Sequence, residues 1–107
     1  MVIARFDVVL ATLDPTIGSE IQKTRPCLVV SPDVLNLHLN TVIIAPMTTQ
    51  GQAYSFRVDC KFAGRNGSIA LDQLRTIDRR RVIRKLGRLN SATSKHVLRV
   101  LREMFHE

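Results

Sequence analysis

Arg25-Pro26-Cys27-Leu28-Val29-Val30-Ser31 is apolar almost throughout after its first residue. A short run of this kind, rich in β-branched side chains, reads as a strand buried on both faces. Pro26 has no N–H to give a ladder, so it belongs at the start of that strand or at an edge. Upstream, Phe6-Asp7-Val8-Val9-Leu10-Ala11-Thr12-Leu13 reads as another strand. Between the two, residues 14–24 carry Pro15 and Gly18 among polar residues and form a long surface loop. Loops of this length in compact domains are often functional.

Downstream, Pro32-Asp33 opens a short turn or helix through Asn36, and Thr41–Met47 is a third strand. A polar loop follows from Thr48 through Gln52. Phe56–Cys60 alternates and reads as a half-exposed strand. Asn66-Gly67 is a strong hairpin signal, because both central residues of a type I′ turn need positive φ. Ser68–Leu71 is then the returning strand, and Arg75–Ile77 and Val82–Leu86 are further short ones. At Asn90 or Ser91 the period changes. Either residue can cap a helix, along which Val97, Leu98, Leu101, Met104 and Phe105 form one apolar stripe. The pattern is mainly β with a C-terminal helix, an α+β class. It predicts a small, curled, mostly antiparallel barrel with the helix against it.

At 107 residues the chain is long enough for one domain, read as 1–107. Its 45% hydrophobic and 5% aromatic content suits an aliphatic core. No apolar run is long enough to span a bilayer, and the N-terminus lacks a signal-peptide pattern, so a soluble, cytoplasmic protein without a membrane role is expected. Cys27 and Cys60 show no metal-ligand spacing and are expected to be free thiols.

The net charge of +7 is one-ended. Residues 1–74 hold six Lys/Arg against six Asp/Glu, and residues 75–107 hold ten against three. Such a field attracts RNA, DNA or an acidic protein. A plain solvated basic surface accounts for the same counts.

Several chemistries have no sequence support. There is no Gly-rich phosphate loop, no clustered His/Cys set and no Ser-His-Asp spacing. His38, His96 and His106 lie outside the polar segments and are read as solvated, although His96 sits beside the apolar stripe of the C-terminal helix and fits a packing role equally well. Three polar segments remain: Gly18-Ser19-Glu20 leading to Arg25, Pro46-Met47-Thr48-Thr49-Gln50, and Leu71-Asp72-Gln73-Leu74-Arg75-Thr76-Ile77-Asp78. The entry of one antiparallel strand and the exit of its neighbour share one end of a small barrel, so Arg25 and Thr48 are expected to meet across one face. A guanidinium fork grips a phosphate and a threonine hydroxyl donates to the same oxygens. The plainer alternative has Arg25 pinning the loop through Glu20 or Asp72, Thr48 as a turn residue, and Asp72-Gln73 serving loop amides. By spacing alone the plainer alternative is favoured.

In these residues the chain resembles the MazF/PemK (Kid) family of toxin ribonucleases, on the MazF-like branch of the CcdB/MazF superfamily. The resemblance runs through Asp7-Val8, Leu13-Asp14-Pro15, Gly18-Ser19-Glu20, Arg25 to Ser31, Asn36, Pro46 to Gln50 and Asp72 to Asp78. It covers roughly residues 5–90. It implies an SH3-like barrel that forms a homodimer with composite RNA sites. It also implies cleavage of single-stranded RNA or mRNA at a short sequence, with no metal and no cofactor. The ribose 2′-OH attacks the adjacent phosphate and leaves a 2′,3′-cyclic phosphate and a 5′-OH.

Arg25 and Thr48 match the family's two catalytic positions, and Glu20 a further active-site acid. Ser19, Thr49, Gln50, Asp72, Gln73 and Arg75 are the expected substrate-binding residues. Arg25 is expected to bind charge and to protonate the leaving oxygen, with Glu20 or Asp72 accepting a proton. Base recognition is expected along loops 14–24 and 48–56. The resemblance implies an acidic MazE-like antitoxin as partner.

Two departures from the PemK pattern are Ser19, where such members carry histidine, and Ala70, where they carry arginine. Two rivals share the fold. A CcdB-like gyrase poison has a C-terminal Trp-Gly-Ile, whereas this chain has no Trp and ends Met104-Phe105-His106-Glu107. An inactive RNA-binding barrel predicts affinity without cleavage.

Overall fold

The computed structural model describes residues 1–49 and 54–107. Seven strands run β1 (Asp7–Thr12), β2 (Thr24–Val29), β3 (Thr41–Thr48), β4 (Arg57–Phe62), β5 (Arg65–Ala70), β6 (Arg75–Asp78) and β7 (Val82–Arg88). A short helix α1 (Asp33–His38) links β2 to β3, and α2 (Ser91–Met104) ends the fold. The strand order is β4-β5-β3-β2-β1-β7, with β6 alongside β3. Every described pairing is antiparallel, so the expected curled antiparallel sheet is the observed one, with β4 and β7 as its edges. Side chains bring those edges together, because the Phe62 ring lies against Gly87.

The reading of β2 as doubly buried holds for its second half and just beyond. Cys27, Leu28 and Val29 are fully buried and Val30 nearly so. Alternate residues serve two cores, as the period of two requires. Cys27 and Val29 join Val9, Ala11, Val42, Ile44 and Ile77 on one face. Leu28 and Val30 join Val8, Ala45, Met47, Val58, Ile69 and Val97 on the other, which α2 covers. Asn90 caps α2 as expected, accepting the Thr93 N–H at 2.8 Å.

The stripe along α2 needs correction at Leu98, which is half-buried but joins neither apolar cluster, and at Phe105. Val97, Val100, Leu101 and Met104 meet the core, but Phe105 is 72% exposed. The helix ends at Met104, and Phe105 is its C-cap with non-helical ψ, so its side chain leaves the stripe.

The hairpin needs a second correction. The turn is Ala63-Gly64, both at positive φ (52° and 78°), closed by the pair Phe62↔Arg65. Asn66 and Gly67 lie within β5 opposite Lys61 and Cys60. A turn centred on Asn66-Gly67 would set Val58 opposite Arg75, whereas the observed register joins two buried residues, Val58 and Ile69. Core burial therefore overrides the local turn signal.

Both cysteines are free. Burial pushes the Cys27 thiol up to about 12, and burial together with the charge of Asp59 raises Cys60. The thiolate is the reactive form. At pH 8 iodoacetamide is therefore expected to leave Cys27 intact in the native protein and to modify Cys60 slowly, with both labelled once the chain is denatured. Mass spectrometry of the digested protein checks this. Labelling of native Cys27 at the rate of a free thiol would contradict the buried placement.

Candidate active site

The site forms where the sheet runs out of apolar residues. β2 and β3 pair through Cys27↔Pro46, Leu28↔Ala45 and Val29↔Ile44. Continuing that register by two residues sets Arg25 opposite Thr48. Both are half-buried, and both line a single cavity of about 390 Å³ together with Ser19, Glu20, Thr49, Arg57 and Gln73. Arg25 and Thr48, expected to meet across one face, thus line the same cavity. Neither end of the plainer alternative for Arg25 occurs, since its Nε donates to the Gln22 carbonyl at 2.8 Å rather than to Glu20 or Asp72. This bond holds the guanidinium stem against its own loop.

Loop 14–24 is fastened from the opposite side. The turn after β5 presents Gln73, whose Oε1 accepts the Ile21 N–H at 2.6 Å and whose Nε2 donates to the Ser19 carbonyl at 3.2 Å. Serving loop amides is thus what Gln73 does. Glu20 accepts the Ile17 N–H at 2.6 Å, a local bond that orients an exposed carboxylate at the cavity rim. Ser19, Glu20 and Gln73 also line an adjoining cavity of about 520 Å³, where Asp72 and Arg75 are found. Arg75 donates to the Leu13 carbonyl at 3.1 Å and so braces the end of β1. Gln50 lies outside the described residues.

Arg57 is the cavity residue that sequence reasoning missed. Its Nε and Nη2 donate to the two oxygens of Asp72 at 2.9 and 3.0 Å. The Tyr54 ring lies 4.9 Å from the guanidinium carbon. The hydrogen-bonded Asp72 carboxylate raises the Arg57 pKa further above its usual value. Arg57 stands in register opposite Ala70. One signal was available in the sequence: alternation puts Val58 inward and Arg57 outward, directly after the polar loop that leaves β3.

Much of the basic C-terminal third is tied down. Arg79 donates to the Asn36 carbonyl at 2.9 Å, Arg81 to the Thr12 carbonyl at 3.3 Å and Arg88 to the Arg5 carbonyl at 3.1 Å. Arg88 and Lys85 also pair with buried Asp7 at 3.0 and 3.3 Å. A carbonyl carries no net charge, so arginines bound only to carbonyls still contribute to the positive field. Among the described residues no group of three or more His, Cys, Asp or Glu is arranged to hold a metal ion. The three histidines are exposed, as expected. No helix among the described residues is long and apolar enough to cross a membrane.

Fold and cavity together define a small antiparallel-sheet protein with guanidinium and hydroxyl groups at adjoining strand ends. The chain belongs to the family of PemK-like, MazF-like toxins of type II toxin–antitoxin systems, whose model matches residues 4–105. It is 38% identical over 96 residues to Endoribonuclease EndoA of Bacillus subtilis, covering 84% of this chain and 83% of that one. In fold it is similar to MazF from Deinococcus radiodurans, at a TM-score of 0.87 and 24% identity over 100% of this chain and 99% of that one. A MazE–MazF structure from the same organism aligns at a TM-score of 0.79 and 26% identity, covering 97% and 96% of the two chains.

Proposed function

We propose that this chain is an endoribonuclease toxin that cuts single-stranded RNA, including mRNA, by 2′-OH attack without a metal. The observation that carries the reading is the shared cavity of Arg25, Thr48 and Glu20 in a chain of the MazF-like family. The relationship to Endoribonuclease EndoA supports the class of activity. The 2′ oxygen bonds to phosphorus and its proton passes to Glu20. Negative charge grows on the phosphorane oxygens, where the Arg25 guanidinium and the Thr48 hydroxyl stabilise it. The bond from phosphorus to the 5′ oxygen then breaks, and that oxygen takes a proton from Arg25; solvent restores the Arg25 proton and takes up the one held by Glu20. Asp72 is the weaker base of the two expected, because both of its oxygens already accept from Arg57. Ser19, Thr49, Gln50, Gln73 and Arg75 are assigned to binding the RNA around this centre.

Two partners belong to the same reading: a second copy of the chain, and an acidic antitoxin of the MazE type. The net charge of +7 and the similarity to a MazF structure that contains MazE support the second.

The purified protein is expected to cut a long, varied single-stranded RNA in excess EDTA and to leave 2′,3′-cyclic phosphate ends. End-group analysis and sequencing of the new 5′ ends read the result and the recognition sequence together. An RNA left whole under those conditions would remove the metal-free nuclease reading and leave the inactive RNA-binding barrel in its place.

A further inference from the structure

We infer that Arg57 is a second phosphate-binding group of the same cavity, held ready by Asp72 and Tyr54, and that it grips a backbone phosphodiester of the RNA next to the one Arg25 engages. This inference rests on the ribonuclease reading and concerns how the substrate is held, not which group carries the chemistry.

Three observations combine. First, Arg57 lines the cavity that also holds Arg25 and Thr48. Second, its guanidinium donates to both oxygens of one carboxylate, at 2.9 and 3.0 Å, and lies over the Tyr54 ring. Third, its side chain is 13% exposed against 38% for Asp72, so the cation is the better enclosed of the two.

A guanidinium has five N–H groups. The fork to Asp72 uses one on Nε and one on Nη2, which leaves the Nη1 edge directed away from that carboxylate. An arginine held by its inner edge presents its outer edge without the usual loss of rotamer freedom, which is the preorganisation that tight phosphate binding needs. Arg25 is held in the same manner, through Nε to the Gln22 carbonyl. The cavity therefore carries two guanidinium groups, each anchored on the Nε side.

A simple structural pin would also explain an Arg57–Asp72 pair, and salt dependence separates the two roles. Each phosphate neutralised on a single strand steepens the fall of log affinity with log salt by about 0.7. The probe is an RNA oligonucleotide containing the sequence that wild type cuts, with a 2′-deoxy sugar at the cleaved position. Its affinity is measured across a potassium chloride series. Arg57→Gln keeps a donor for Asp72 and removes the charge. It is expected to weaken binding about tenfold at low salt, to lower the slope by about 0.7, and to leave the melting temperature near that of wild type. Arg57→Lys is expected to keep the slope and to lose affinity because the fork is gone. Asp72→Asn is expected to weaken binding with the slope unchanged, as befits a positioning residue.

A wild-type slope in Arg57→Gln, with or without a drop in melting temperature, would overturn the inference and leave Arg57 a structural pin. That outcome is distinct from failure of the ribonuclease reading, which would show as intact RNA with the wild-type protein.

Discussion

Arg25→Ala is expected to lower single-turnover RNA cleavage by about 10²–10³-fold or more, the typical cost of removing one donor to a developing oxyanion. The loss should fall mainly on kcat, because phosphorane charge exists in the transition state and is weaker in the bound substrate. The fold should survive. Arg25 sits at the start of β2, outside both apolar clusters, and its one described side-chain bond is to the Gln22 carbonyl. A single bond of that kind contributes about 0.5–1.5 kcal/mol, well short of unfolding a domain. Rapid-quench cleavage alongside a thermal melt measures both. Cleavage within tenfold of wild type by a well-folded Arg25→Ala protein would remove Arg25 from the chemistry and return it to a loop-holding role.

The sheet was legible because its signals are burial signals. Residues Cys27 to Val30 had to be covered on both faces, and the structure covers them with two separate cores. The placing of Arg25 and Thr48 in one cavity was legible for a related reason, since an antiparallel neighbour must bring a strand entry beside a strand exit. What failed was local chemistry read without tertiary context. Asn66-Gly67 has the composition of a turn, yet the pairing of Val58 with Ile69 forces the turn back to Ala63-Gly64. Phe105 has helical spacing, yet the helix stops one residue earlier. Arg57 was missed for a third reason. Its partner Asp72 lies 15 residues away across a strand, a turn and the 3₁₀ segment that holds Asp72, and spacing alone does not reveal such a pair. Two of the residues proposed to bind RNA also carry local bonds that spacing does not reveal: Gln73 fastens loop 14–24 and Arg75 donates to the Leu13 carbonyl.

Gly67→Ala is expected to cost about 1–3 kcal/mol of stability, the usual range for forcing a methyl group into a filled space, and to slow RNA cleavage by about 10²-fold. The cause is a backbone contact rather than backbone conformation. A Cβ at Gly67 would lie 2.5 Å from the Thr48 carbonyl oxygen and 3.6 Å from the Thr49 Cα. A strand backbone cannot swing aside as a long side chain does, so β5 and the end of β3 must separate. The residue displaced is Thr48, whose hydroxyl, in the proposed mechanism, has to stay within hydrogen-bond reach of a phosphorane oxygen. Misplacement by about 1 Å from a change outside the chemistry is enough to lose about 10² in rate.

The glycine read from sequence as a turn residue is therefore better understood as the space that lets β5 lie against the Thr48 end of β3. Urea denaturation and single-turnover cleavage give the two quantities. Gly64→Ala serves as the comparison. It strains a residue at positive φ, but nothing lies within 4 Å of the added Cβ, so stability should fall while cleavage by the folded protein is spared. A Gly67→Ala protein as stable and as active as wild type would mean that the two strands do not approach this closely, and Thr48 would lose its fixed position in the site.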